Sequence, residues 1–204
     1  MIRIVDYGMG NLGSVKNMLK KVGFDSEVTN DPQEILSADK IILPGVGAYD
    51  AAMQKINESG LKPALIEFAL VQKKPIMGIC LGMQILLEGS DEGQLPGLGW
   101  IKGKVLSFKE NLSDLDNYKV PHMGWNEVGF KNHPLTKGFE DESRFYFVHS
   151  YFAKVKSEEN SLFRCSHSLE FDAGVVKGNI LGVQFHPEKS HKFGMLLMKN
   201  FAEL

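Results

Sequence analysis

Apolar residues in the first half of the chain fall into short runs separated by stretches of helical periodicity. Residues 2–5, 40–43 and 76–79 read as buried strands, and residues 11–22 and 61–72 repeat their apolar positions as helices do. That alternation predicts a parallel sheet covered by helices. From Trp100 onward the pattern changes to shorter segments, 101–108, 145–148, 151–155, 173–176 and 180–185, separated by Gly, Asn and Asp turns. These predict a mixed or antiparallel extension of the sheet. Phe193, Leu196, Leu197 and Phe201 then recur at helical spacing, so an amphipathic helix is expected at the end. The expected fold class is α/β, one domain over residues 1–204, with a mixed, largely parallel central sheet flanked by helices.

Composition narrows the function classes. A chain of 204 residues, 43% of them hydrophobic, can bury a sizeable core. Lys plus Arg is 23 and Asp plus Glu is 25, a formal net charge of −2, so no positive excess drives binding to phosphate backbones and nucleic acid is not an expected partner. The apolar-rich stretch 61–71 is interrupted by Lys62, Pro63 and Glu67 and falls short of the ~18 apolar residues a membrane span needs. The opening MIRIVDYGMGN lacks the features of a signal peptide, and Cys80 and Cys165, the only cysteines, fit a reducing compartment. A cytoplasmic location is therefore expected. No HExxH or Cys-x-x-Cys spacing is present, so neither a metal nor a cofactor is expected.

Gly78-Ile79-Cys80-Leu81-Gly82 places a thiol between the strand 75–79 and the helical run 83–87, with a glycine on either side. This is the pattern of a nucleophile elbow with cysteine in the serine position, where a turn too tight for neighbouring Cβ atoms pushes the nucleophile out at the carboxyl end of the sheet. A helix N-terminus and an imidazolium can lower a thiol pKa from ~8.5 to roughly 3.5–7.5. Cys165, beside Phe163 and Arg164, reads instead as a small core residue, the usual fate of a free cysteine. Packing alone does not explain the two glycines around Cys80.

His186 ends the segment 180–185 and is followed by Pro187 and Glu188, so an imidazole and a carboxylate arrive together at a strand end. A carboxylate that fixes one ring nitrogen leaves the other to exchange a proton with a thiol, which is the logic of a triad. A strand-end histidine is often merely hydrogen-bonded, and a glutamate near a helix start often only complements the dipole. Beside an elbow cysteine, the catalytic reading is the stronger one. Attack on an amide carbon creates an oxyanion, for which the Leu81 N–H is one donor. The loop Pro44-Gly45-Val46-Gly47 after the strand 40–43 offers backbone N–H groups at the same sheet end, although Pro-Gly there is also an ordinary turn.

Together, PGVG at 44–47, GICLGMQ at 78–84, HSY at 149–151 and QFHPEKS at 184–190 resemble the class I glutamine amidotransferase family along nearly the whole chain. Within that class, DYGMGN at 6–11, PHMGWN at 121–126 and QFHPEKS are similar to glutaminase subunits that serve a cyclase of histidine synthesis. The resemblance implies that Cys80 attacks the side-chain amide of glutamine, His186 shuttles the proton and Glu188 orients His186. It implies an oxyanion site at the backbone of Val46 and Leu81, and glutamine held by Gly47, Gln84, His149, Ser150 and Tyr151. It also implies a heterodimer with a (β/α) barrel cyclase that receives the ammonia and makes imidazole glycerol phosphate and an aminoimidazole carboxamide ribotide. Asn11, Met123, Trp125 and Lys189 are the candidate partner-facing residues; Met123 and Trp125 fit a core equally well, and Lys189 fits a solvated surface.

Three rival readings remain at this level. Gly8-x-Gly10-x-x-Gly13 follows a strand and opens a helix, with Asp31 at about the distance of a ribose-binding acid, as in a dinucleotide-binding loop. A stand-alone cysteine hydrolase would use the same elbow with no partner. A paralogous glutaminase would feed ammonia to amidine formation on a surface sugar.

Overall fold

The computed structural model describes residues 1–111 and 118–204. The elements follow the chain as β1 (Ile2–Val5), α1 (Leu12–Lys21), β2 (Ser26–Thr29), α2 (Pro32–Ser37), β3 (Lys40–Gly45), α3 (Tyr49–Glu58) and α4 (Leu61–Ile66). A π-helical turn (Glu67–Val71) extends α4, and β4 (Ile76–Cys80) runs directly into α5 (Leu81–Gln84). The second half holds β5 (Gly103–Ser107), α6 (Phe108–Asn111), β6 (His122–Glu127), β7 (Gly129–Phe130), β8 (Arg144–His149), β9 (Tyr151–Val155), β10 (Ser161–His167), β11 (Leu169–Lys177), β12 (Ile180–Val183) and α7 (His191–Glu203).

A ten-stranded mixed sheet, ordered β2-β1-β3-β4-β12-β11-β10-β7, organises the molecule, with β9 on β11 and β5 on β9. The strands from β2 to β12 are parallel to one another, and pairing beyond β12 is antiparallel. β12, from the second half of the chain, closes the parallel block, and the antiparallel extension expected after Trp100 begins with β11. The segment around 145–148 departs from expectation: β8 leaves the main sheet and pairs only with β6, as a separate two-stranded ribbon. β6 itself has an inverted pattern, His122 buried and Met123 and Trp125 exposed at 62% and 43%, so its apolar residues do not mark a buried strand face.

Successive strand residues point to opposite faces, and each face has its own core. In β3, Ile41 and Leu43 join the cluster packed under α3 and α4, while Ile42 joins the cluster under α1 and α7. Val15 and Leu19 of α1, and Leu197, Met198 and Phe201 of α7, complete the second layer. The parallel strands therefore end together, at one edge between two helical layers, and the loops there carry the candidate residues. Among the described residues no helix is long and apolar enough to cross a membrane.

The glycine loop after β1 is spent on packing. Gly10 at φ +116° lies against Pro44, and nothing lies within 4 Å of a Cβ built on Gly13, so the third glycine serves no close helix approach. Asp31 caps α2, its Oδ1 accepting from the Gln33 N–H at 2.8 Å. Both features argue against the dinucleotide-binding reading.

Gly82 has no room for a side chain, because a Cβ there would overlap the carbonyl oxygen of Leu43 on β3. Gly82→Ala is therefore expected to destabilise the chain by ~3 kcal/mol or more through backbone displacement. Gly13→Ala, with open space inside α1, should be stabilising by about 0.5–1 kcal/mol. Urea unfolding of both variants checks the pair, and equal stabilities would show that the elbow tolerates a Cβ.

Candidate active site

The pairing register assembles the site. On one side of β4, Gly45 lies opposite Cys80, and on the other Val183 lies opposite Ile79. Gln184 thus comes alongside Cys80, and His186 follows after an irregular turn whose N–H donates to the Tyr146 carbonyl at 2.9 Å. Cys80 has φ 56° and ψ −113°, a left-handed conformation rare for a residue with a side chain, and it caps α5. Such backbone costs about 1–3 kcal/mol and is held only where surrounding packing dictates it. Gly78 and Gly82 permit it, since a Cβ on Gly78 would overlap the carbonyl of Gly82.

His186 is 3% exposed, and its Nδ1 lies 2.7 Å from Oε1 of Glu188, whose side chain is equally buried. Nε2 is left free of Glu188, and the Cys80 sulfur, on the same cleft, is the other group that acts on the ring. Burial opposes a charge on His186, but Cys80 and Glu188 on either side outweigh it and push the imidazole up to about 10. Pro187 opens a single 3-10 turn (Pro187–Lys189) and the last helix begins only at His191. Ser190 locks that turn, donating to the His186 carbonyl at 2.6 Å and accepting from the Tyr146 N–H at 3.0 Å.

A cleft of about 390 Å³ opens above the sulfur. Cys80, Leu81, His186 and Gln84 form its floor; Val46 and Gly47 stand on one side and His149, Ser150 and Tyr151 on the other. Lys189 reaches its rim, with Nζ 5.5 Å from the Tyr146 ring centre. Glu188 lies behind His186 and does not line the cleft. Asn11, Met123 and Trp125 lie outside it: Asn11 caps α1 through the Ser14 N–H at 3.4 Å, and Trp125 stacks on His191 with ring centres 5.5 Å apart. Because Met123 and Trp125 are exposed, neither belongs to the core.

Three residues in or beneath the cleft escape sequence reasoning. Glu92 is the acid lining the cleft; burial raises its pKa, opposed by the Tyr49 N–H that donates to it at 3.3 Å. Nothing in the polar loop around it marks it out. Gln184 is completely buried beside Cys80, and its signal is a polar residue inside the apolar run 180–185. Tyr7 is buried against Gly45, and burial, then the charge of Cys80, raises its hydroxyl. Cys165 packs in the core, and burial pushes its thiol up to about 12. Among the described residues no group of three or more His, Cys, Asp or Glu is arranged to hold a metal ion.

A thiol at a strained elbow, an imidazole held charged beside it and a buried carboxylate behind it are an arrangement capable of acyl transfer through a thioester. Comparison with known proteins places the chain in a family. The model of the family "Glutamine amidotransferase class-I" matches residues 3–203. This chain belongs to the class-I glutamine amidotransferase family. Among its relatives, "Imidazole glycerol phosphate synthase subunit HisH 2" of Methanococcus maripaludis is 51% identical over 204 residues, covering 100% of this chain and 99% of the relative. The protein of the same name from Pseudomonas aeruginosa is 49% identical over 205 residues, covering 100% of both. Among solved structures, one described as a glutamine amidotransferase superposes with TM-score 0.77 at 18% identity, covering 100% of this chain and 98% of the other. PurLQS from Thermotoga maritima superposes with TM-score 0.73 at 23% identity, covering 99% and 97%. At those identities the structures establish the shared fold of the amidotransferase domain.

Beside the charged His186, the fold keeps two other histidines neutral. Burial, then His167, lowers His122 from 6.5 to about 4, and burial lowers His149 from 6.5 to about 3 despite its bond to the Tyr151 carbonyl. A base whose folded pKa is depressed contributes stability above its unfolded value and loses it as pH falls toward the folded value. Stability should therefore drop from about pH 6.5 toward pH 4, by up to ~1.4 kcal/mol per pH unit for each histidine. Denaturant unfolding between pH 7 and pH 4.5 measures the slope, and a smaller slope in His122→Phe would assign its share; a flat profile would contradict the burial argument.

Proposed function

We propose that the cleft binds L-glutamine and that Cys80, His186 and Glu188 hydrolyse its side-chain amide, the ammonia passing to a cyclase partner. The observation that carries this reading is the buried Cys80–His186–Glu188 array at the carboxyl end of the parallel strands, with His186 Nδ1 fixed 2.7 Å from Glu188. The Cys80 thiolate attacks the amide carbon, and the N–H groups of Leu81 and Val46 receive the oxyanion. His186 protonates the leaving nitrogen as the C–N bond breaks, which leaves a glutamyl thioester and ammonia. Water activated by the now neutral imidazole then cleaves the C–S bond, releases glutamate and restores the thiol.

Lining groups suit an amino acid with a terminal amide. Glu92 faces the cleft and matches the α-ammonium, and Gly47, Gln84, His149, Ser150 and Tyr151 complete the pocket. Both N–H bonds of Gln84 are engaged, at 2.9 Å with Gln184 and 3.2 Å with Tyr151, so it offers the ligand an acceptor oxygen, which favours the amide of glutamine over the carboxylate of glutamate.

The partner we assign is a (β/α) barrel cyclase that forms a heterodimer with this chain in the cytoplasm and makes imidazole glycerol phosphate and an aminoimidazole carboxamide ribotide in histidine synthesis. Full-length similarity to HisH subunits supports it. So does chemistry, because free ammonia at neutral pH is mostly the unreactive ammonium ion and direct transfer preserves the nucleophile. Met123 and Trp125, large apolar groups left exposed on β6, are assigned to the docking face with Lys189 and Asn11.

Glutamate release from L-glutamine is expected to be slow for the chain alone and strongly stimulated by the cyclase with its ribonucleotide ligand. High activity without a partner would overturn the channelling assignment. In the complex, Cys80→Ala should lower turnover by about 10⁴-fold or more, His186→Ala comparably and Glu188→Gln less, since it only loosens the imidazole. Substantial turnover by Cys80→Ala would sink the mechanism.

A further inference from the structure

One polar side chain at the nucleophile stands outside the triad. Gln184 is fully buried next to Cys80 across the β4–β12 pairing, with Nε2 3.6 Å from Sγ. Which end of its amide faces the sulfur follows from its neighbours. The Tyr151 carbonyl can only accept, and it receives His149 Nδ1–H at 2.8 Å and Gln84 Nε2–H at 3.2 Å. That fixes the Gln84 amide, whose second N–H donates to Gln184 Oε1 at 2.9 Å. Gln184 Nε2 is then left to direct its N–H at the sulfur.

The histidine side imposes the same polarity. With its proton on Nδ1, neutral His149 presents Nε2 as an acceptor, so His122 Nδ1 donates to it at 2.9 Å. His122 Nε2 then accepts from Asn126 Nδ2 at 3.2 Å, and the other hydrogen of that amide goes to the Ser166 carbonyl at 2.8 Å. Each donor in the run from β6 to Cys80 has an acceptor, and no member can turn round without leaving two acceptors or two donors face to face.

We infer that Gln184 is a positioning residue for the nucleophile: its N–H, aimed by Gln84 and the Tyr151 carbonyl, stabilises the Cys80 thiolate and holds Sγ toward the cleft. A hydrogen bond to a charged acceptor buried from water is among the stronger ones, so its loss should be visible in the thiol itself. The inference rests on the reading of Cys80 as the nucleophile and deepens it.

The test is the rate of iodoacetamide alkylation of Cys80 in the full chain as a function of pH, located by peptide mass, alongside kcat and KM for glutamine in the complex. Tyr7 and His186, the titratable groups on which Cys80 acts, stay unchanged in the variants. Gln184→Met should alkylate roughly tenfold more slowly near neutral pH, with the pH midpoint moved upward and kcat lowered by a similar factor while KM changes less. Gln184→Glu keeps the length and the acceptor for Gln84 but turns a carboxylate oxygen toward the sulfur; it should be slower still, and it carries the test if Gln184→Met fails to fold. Folded variants that alkylate with the wild-type rate and midpoint would overturn the assignment. A wild-type Cys80 no more reactive than free cysteine would instead overturn the nucleophile reading, and this inference with it.

Discussion

The closeness of α5 to β3 is the constraint on which the site depends. Parallel pairing sets Gly45 against Cys80, and the helix that begins at Leu81 turns so tightly that Gly82 touches the Leu43 carbonyl. In that space the chain has one way to leave β4, through a left-handed cysteine. The sulfur is thereby carried out of the sheet to the cleft, with Leu81 at the start of α5 lining it beside Cys80. Strain at one residue is held by close contacts at three others, so the nucleophile is oriented before any ligand arrives.

The electrostatics around that point divide the histidines. His186 and His149 both line the cleft and both are buried, yet their pKa values move in opposite directions, up to about 10 and down to about 3. Burial opposes charge on each. The difference lies in their partners: a carboxylate and a sulfur flank His186, whereas His149 donates to a backbone carbonyl and faces other imidazoles. The same residue type is therefore held charged in one place and as a fixed neutral tautomer in the other.

Much of this was legible in the sequence where physics acts locally. Apolar runs marked β1, β3 and β4 because both faces of a parallel sheet are buried, and glycines around Cys80 marked the elbow because sterics there admit little else. The pattern failed where burial is set by distant contacts. β2, with its burial limited to Ser26 and Thr29, carries no apolar run to betray it. β6 hides a histidine and exposes a tryptophan, the reverse of a core strand. Glu92 and Gln184 acquire meaning only once strands far apart in sequence lie side by side; Gln84 and Gln184, bonded at 2.9 Å, are 100 residues apart.

The inverted strand β6 connects these observations. Its exposed face carries Met123 and Trp125, and buried His122 and half-buried Asn126 begin the hydrogen-bond run that ends at Cys80. A surface that docked there would bear on one side of a strand whose other side is tied to the cleft wall, with β8, the pairing partner of β6, ending at His149. Displacing β6 would shift His122, and with it the donor presented to His149, which in turn donates to the Tyr151 carbonyl that aims Gln84. Each link in that run has a single allowed polarity, and its two branches meet at the Tyr151 carbonyl, so a movement at β6 would bear on the wall of the cleft. A glutaminase that hands its ammonia on would gain from such a connection, since hydrolysis without a receiver wastes glutamine.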